Sequence, residues 1–302
     1  MSFDLVEGKP RDLGGFSVRR VLPSLPHRSV GPFVFFDQLG PAVLAAGNGV
    51  QMRPHPHIGL ATVTFLFEGE LMHRDSLGSI QAIRPGDVNW MTSGRGIVHS
   101  ERSPGAIADH AQPIHAIQSW VALPKTHEDG DPSFAHHPAA TLPVVDRPGV
   151  RITVIAGDAF GERSPVAVLV PTLYAVATMD AGSSLVLDAR HEERAVYVVE
   201  SAAGSAVAVD GGAVPAQTMA VITSAGEIVV TASGPSVVML VGGARLDGPR
   251  TLEWNFVARD RAASDAARAD WLTYPNARFP QVPGDSEWIP LPLRPRPEPT
   301  AL

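Results

Sequence analysis

Cysteine is absent from the 302 residues. That excludes a disulfide framework and any thiolate metal site, so a metal held by this chain has to be bound through nitrogen and oxygen. A basic excess is missing too. Lys and Arg number 24 against 31 Asp and Glu, for a net charge of −7, and the pI is near 5.9. This balance argues against non-specific attraction to nucleic acid or to an anionic membrane. No apolar run approaches the roughly 20 residues of a membrane span. The start, MSFDLVEGKPRDLGG, has no basic segment leading into an apolar core, so it does not read as a signal peptide. The expectation is a soluble, cytoplasmic protein with no direct nucleic-acid contact and no membrane attachment.

What is present is turn chemistry between short apolar runs. Gly and Pro each number 28, which favours many turns and β-structure over long helices. The length suits two domains. Strands are expected at 16–21, 34–37, 61–67, 71–75, 80–83, 87–92, 97–100 and 115–123, a spacing that reads as a β-sandwich or barrel. The polar, Pro-containing stretch 124–143 reads as an interdomain linker or long surface loop. A second series of similar runs follows, from VRITVIAG to VVMLVGG, and suggests a duplicated barrel. The halves differ in chemistry, since the second holds only His191. Beyond Trp254, ARDRAASDAARADWL reads as a surface helix. The final stretch carries eight prolines from Pro275 onward and is expected to run extended over the surface or to be partly disordered. The resulting division is 1–135, 136–258 and 259–302.

The chemistry-bearing residues sit in RPHPHIGLATVTFLFEG. In a strand, alternate side chains share a face, so His55 and His57 present both imidazoles to one side. Pro56 points the other way, biases His55 toward an extended backbone, and places the segment at a strand start or sheet edge. GDVNWMTSGRGIVHSE repeats the spacing with His99 and Glu101. Three imidazoles and one carboxylate suit a divalent first-row ion such as Fe, Mn, Co, Ni or Cu with open positions, whereas structural zinc more often uses sulfur. The alternative is that the two pairs are independent surface or core histidines.

Other residues carry weaker signals. His73 lies one strand on and is a candidate for the pocket or for a contact behind the ligands. Phe65, Trp90 and Met91 read as core or pocket wall. Gln118 and Trp120, on alternate strand positions, are candidate pocket residues. His127, His136 and His137 read as solvated linker residues. GRGIVH places His99 where a dinucleotide fingerprint needs its third glycine. Ser100 and Ser103 beside His99 make no nucleophilic triad, because a metal-bound histidine cannot also be the base.

The stretch RPHPHIGLATVTFLFEGELMHRDSLGSIQAIRPGDVNWMTSGRGIVHSE resembles the pirin family of bicupin proteins. The likeness continues into IQSWVALP and WNFV and covers roughly residues 10–270, with more specificity in the first half. It implies an all-β fold of two cupin barrels packed face to face, with metal only in the first, plus a short C-terminal helix. The family's ligands fall on His55, His57, His99 and Glu101. One divalent ion is expected, Fe(II) first, with Mn, Ni, Co, Cu or Zn as alternatives. Some members of the family cleave the flavonol quercetin with O2, which implies a dioxygenase with Glu101 as general base. Eukaryotic members act as cofactors of transcription factors, which implies instead a regulatory protein partner. Ile58, Leu60, Ala61 and Ala122 depart from the family pattern, which bears on pocket shape and substrate preference.

Overall fold

The computed structural model describes residues 2–13, 16–105, 109–292 and 300–302. It forms two compact units that cut across chain order. One gathers Met1–Arg11, Arg19–Gln38 and Ala140–Leu246; the other gathers Asp12–Val18, Leu39–Ala139 and Asp247–Leu302.

The second of these units holds the histidine motifs. Its short apolar runs, bounded by turn residues, become strands: Leu71–Asp75 alternates buried and half-buried positions, whereas Leu60–Glu68 is buried on both faces over most of its length. Leu71–Asp75 and Ile80–Ile83 form where the pattern places them, and Leu60–Glu68, Ile97–Arg102 and Gln112–Ala122 lie within a few residues of expectation. One sheet runs in the order Gln51–His57, Ile97–Arg102, Leu71–Asp75, Ile80–Ile83, so the strand of His55 and His57 lies at its edge. In the other, Ser133–His137, Val88–Thr92, Leu60–Glu68 and Gln112–Ala122 are neighbours in that order. Gly59 turns the chain between the two sheets at φ +65°, where a Cβ would lie 2.1 Å from the carbonyl oxygen of Val257. Only glycine takes that backbone at that distance.

Two sequence expectations change here. The polar stretch 124–143 is not all loop, because Ser133–His137 pairs antiparallel with Val88–Thr92, from Ser133↔Thr92 to His137↔Val88. The pairing satisfies backbone groups along the rim of the Val88–Thr92 strand that a loop would leave open. His136 and His137 are therefore half-buried, and His136 Nδ1 hydrogen-bonds the side chain of Asn89 at 2.7 Å. The tail, too, does more than run over the surface. Asp260 caps the Arg261–Trp271 helix by accepting from the Ala263 N–H at 2.8 Å. On its buried face Ala267 and Trp271 join Ile58, Val98, Phe256, Ala258, Phe279, Val282 and Leu291 in one apolar cluster, and the Ser264 hydroxyl donates to Glu253 Oε2 at 3.1 Å. Residues 293–299 of the Pro-rich tail lie outside the described residues. Arg250, fully buried, meets Glu128 at 2.7 Å, and Arg259 meets the same carboxylate at 2.9 Å. These pairs fix the start of the returning segment to the end of the sheet.

The other unit has the same texture. Phe3–Glu7, Thr218–Ile222, Glu193–Ser201, Ser236–Gly243, Thr172–Met179, Val150–Ala159 and Val144–Arg147 form one sheet in that order, and Ser183–Leu187, Ile228–Ala232, Val207–Val209 and Gly212–Val214 the other. Its interior holds an apolar cluster built on Val, Ala, Leu and Ile, including Val196, Val198, Val238 and Leu240. No helix of the described residues is long and apolar enough to cross a membrane.

Candidate metal centre

Strand register assembles the site. Ile97–Arg102 lies between its two neighbours, with His99 opposite both His55 and Asp75, and Glu101 opposite His73. A bulge between His99 and Glu101 re-aims the end of the strand. Because partners directly across a ladder share a face, His55, His57, His99, Glu101, His73 and Asp75 all face the same side. One nitrogen from each of His55, His57 and His99 lies within 4.8 Å of the others, and among the described residues this is the one group of three or more His, Asp or Glu so arranged. The three rings sit 4.4 to 5.0 Å apart.

Hydrogen bonds show which nitrogens are free. His55 Nδ1 meets the Arg53 carbonyl at 2.8 Å, and His57 Nδ1 meets the Asn255 carbonyl at 3.1 Å. A carbonyl only accepts, so both Nδ1 atoms carry the proton and both Nε2 atoms are bare lone pairs. His99 Nε2 faces His57 Nε2 at 3.1 Å. Burial lowers the pKa of His55 to about 4, and lowers His57 and His99 well below the ordinary histidine value, with neighbouring imidazoles adding to the effect. The three rings are thus neutral at pH 7. Converging, buried and neutral imidazoles are the donor set that a divalent first-row cation needs, and the residues present fit one.

Glu101 stands beside this group. Thr64 Oγ1 lies 3.0 Å from Glu101 Oε1 and 2.7 Å from Gln118 Oε1. A hydroxyl has one proton, and giving it to the carboxylate turns the Gln118 amide so that its NH2 faces Thr64. Burial raises the Glu101 carboxyl above the ordinary value, opposed by His73 and by the Thr64 hydrogen bond. Trp120 stands edge-on to His57 with centroids 5.1 Å apart. Gln118 and Trp120 pair with Thr64 and Thr62, which puts all four on one face. Phe65 and Trp90 occupy the intervening positions and so face the other side of that sheet, Trp90 donating to Thr92 Oγ1 at 3.2 Å. Ile58 packs into the apolar cluster around Phe256 and Trp271.

His73 comes in behind His99. Its Nδ1 lies 3.5 Å from His99 Nδ1, its Nε2 lies 3.0 Å from Asp75 Oδ2, and its ring stacks on Phe134 at 4.3 Å. Burial works against ionisation of Asp75, but hydrogen bonds from His73 and Ser79 outweigh it and hold the carboxyl below its ordinary value. Three contributors were not singled out from sequence: Thr64, Asp75 and Asn255. His73 and Asp75 repeat the one-residue spacing of the two ligand motifs, a signal open to a reader of the chain. Asn255 contributes only a carbonyl, which no sequence signal marks.

Family models agree with this architecture. The pirin model matches residues 15–121, and the pirin C-terminal cupin domain matches 174–277. The chain belongs to the pirin family. A pirin-like protein of Caulobacter vibrioides is 44% identical over 96% of this chain and 99% of its own length. The crystal structure of a quercetin 2,3-dioxygenase from Acinetobacter baumannii superposes with a TM-score of 0.88 at 34% identity, covering 97% of this chain and 96% of that one. An Escherichia coli pirin solved with nickel(II) shares the fold, with a TM-score of 0.63 at 19% identity, 81% of this chain and 100% of that one. The histidine triad lies in the stretch matched by the pirin model, and the second match falls on the C-terminal cupin domain of the family.

Proposed function

We propose that this chain is a metal-dependent dioxygenase of the quercetin 2,3-dioxygenase type, acting with O2 on a flavonol or a similarly flat aromatic enol. The observation that carries the reading is a buried triad of neutral imidazoles with a raised-pKa carboxylate, Glu101, on the adjoining strand position. The likeness to the Acinetobacter baumannii quercetin 2,3-dioxygenase structure supports it. His55, His57 and His99 would hold one divalent ion, Fe(II) first among the candidates, with Glu101 as the remaining donor on that face. When bound, the ion supplies Lewis acidity toward an enol oxygen and redox access to O2.

The chain's own residues do the rest. Glu101, buried and with its carboxyl raised above the ordinary value, would take the proton of a substrate hydroxyl as general base. Thr64 and Gln118 set the direction of that carboxylate. Trp120 supplies an aromatic wall beside His57, and the enclosed site excludes water from a flat substrate. Net cleavage of a flavonol by O2 gives a depside and carbon monoxide, so both oxygen atoms end in products and no further reductant is required.

Oxygen uptake and carbon monoxide release, measured with a flavonol panel on protein loaded with Fe(II), Mn, Ni, Co or Cu, test the proposal. Turnover is expected with at least one metal, and Glu101→Gln is expected to lower kcat by about 10²- to 10⁴-fold, the usual contribution of a general base. Null turnover with every metal overturns the enzyme reading and favours a metal-responsive regulatory protein, which pull-down of a specific partner would then identify.

A further inference from the structure

His99 differs from the other two histidines in what holds its ring. His55 and His57 are pinned by backbone carbonyls, Arg53 at 2.8 Å and Asn255 at 3.1 Å, which can only accept. Neither can change tautomer without losing its partner. His99 has a choice. With its proton on Nε2 it would donate to His57 Nε2, 3.1 Å away, filling the space where a cation has to sit. With its proton on Nδ1 it would donate to His73 Nδ1 at 3.5 Å and leave Nε2 bare.

Asp75 decides between them. Its Oδ1 accepts from the backbone N–H groups of Leu77 at 2.9 Å and Ser79 at 3.0 Å. Those two donors fix which oxygen faces the turn, and Oδ2 is left to accept from His73 Nε2 at 3.0 Å. A neutral imidazole that donates from Nε2 is bare at Nδ1, and a bare Nδ1 can only accept from His99 Nδ1. The choice propagates along one line, from Asp75 through His73 to His99. His73 and Asp75 are buried, 3% and 0% exposed, so water does not offer an alternative partner.

We infer that Asp75 and His73 are positioning residues that hold His99 in its metal-binding tautomer. The inference rests on the reading of the triad as a metal centre, and extends it by naming what keeps the third ligand competent. Such partners behind metal ligands set ring orientation and donor strength, and losing one typically costs 10- to 100-fold in affinity.

The line has a direction, and that makes it testable. Asp75→Asn is nearly isosteric. The Leu77 and Ser79 N–H groups keep its oxygen toward the turn, so the amide N–H faces His73. His73 then accepts at Nε2, donates from Nδ1, and forces His99 into the tautomer with its proton on Nε2. His73→Phe keeps the stack on Phe134, 4.3 Å away in the parent chain, and removes the line without inverting it. Competitive titration with Zn(II) and Ni(II) should therefore show a 10- to 100-fold loss for Asp75→Asn and a smaller loss for His73→Phe. The double variant should match His73→Phe, recovering most of what Asp75→Asn lost. A purely structural role for Asp75 gives additive losses instead, and additivity overturns the inference, as does wild-type affinity in Asp75→Asn. Histidine-selective 15N spectra of the metal-free wild type give an independent reading, whether or not the variants fold. His99 protonated at Nδ1 is expected, and protonation at Nε2 overturns the tautomer assignment. Absence of any Zn(II) or Ni(II) binding by the wild type would refute the metal centre itself, and the same spectra would still decide the tautomer.

Discussion

The two units answer the same folding problem with apolar cores that differ in one respect, the polar cluster that, among the described residues, only one of them holds. Each stacks short antiparallel strands into a larger and a four-stranded sheet. In the unit built around Ala140–Leu246 the space between sheets is filled by Val, Ala, Leu and Ile, and two buried polar side chains turn to backbone: Arg194 directs its guanidinium to the carbonyls of Asp188, Ser224 and Gly226, and His191 its ring to that of Asp158. In the unit with the triad, three imidazoles converge on one another, with His57 Nε2 facing His99 Nε2 at 3.1 Å. Buried polar groups ordinarily turn to fixed partners in the protein, and imidazoles that instead turn to one another mark a place where a cation fits. The difference shows that the barrel supplies the enclosure and that a handful of inward positions decides whether it is a core or a site.

The largest effect should come from removing a ligand. His57→Ala takes away one of three convergent nitrogens, and metal analysis after purification should find retention abolished, while far-ultraviolet circular dichroism stays that of the parent. Full retention would show that the triad is not the centre. In the apolar barrel the opposite split is expected. Leu240 is fully buried, so Leu240→Ala should cost about 2–5 kcal/mol in denaturant unfolding with no change in Ni(II) affinity. A matched loss of affinity would show that the two interiors are not independent in function.

Acid should separate the interiors as well. His55 is at about 4 in the folded chain against 6.5 as its ordinary value, so between those pH values the unfolded chain binds more protons than the folded one. Stability of the metal-free protein should therefore be fully present above pH 6.5 and fall as pH drops toward 4, by on the order of 3 kcal/mol for His55 alone. Urea unfolding at a series of pH values measures it, and a flat profile across that window would contradict the buried neutral triad. The smallest effect is expected at Gln118. Gln118→Leu leaves Thr64 to orient Glu101 unaided, and should reduce turnover several-fold less than Glu101→Gln while leaving metal affinity near that of the parent.

Much of the site was legible in the chain because its logic is local. His55, His57, His99 and Glu101 advertise themselves by one-residue spacing, and the strand period converts that spacing into a shared face. The strands were legible as short apolar runs between turn residues, as in 60–68, and in the alternation of 71–75. What alternation could not show was partnership. Thr64 looks like any strand threonine until Glu101 and Gln118 are opposite it. The polarity of 133–137 hid a strand, because an edge strand is defined by the neighbour that accepts its backbone rather than by its own pattern. Phe65 and Trp90 carry the right chemistry for a pocket wall, yet register turns them to the opposite face from Thr64 and Gln118.

By itself the sequence determined that a metal here would be bound by nitrogen and oxygen, that the elements are short strands, and which four side chains pair off at ligand spacing. These follow from composition and from a period of two, which act over a few residues. Only the tertiary structure decided that His55 lies across from His99, that the carbonyl of Asn255 returns from 198 positions away to lock the tautomer of His57, and that Asp75 speaks to His99 through His73. Those are consequences of which strands pair and where the chain doubles back. Hydrogen bonds act over about 3 Å, a distance that separation along the chain does not reveal.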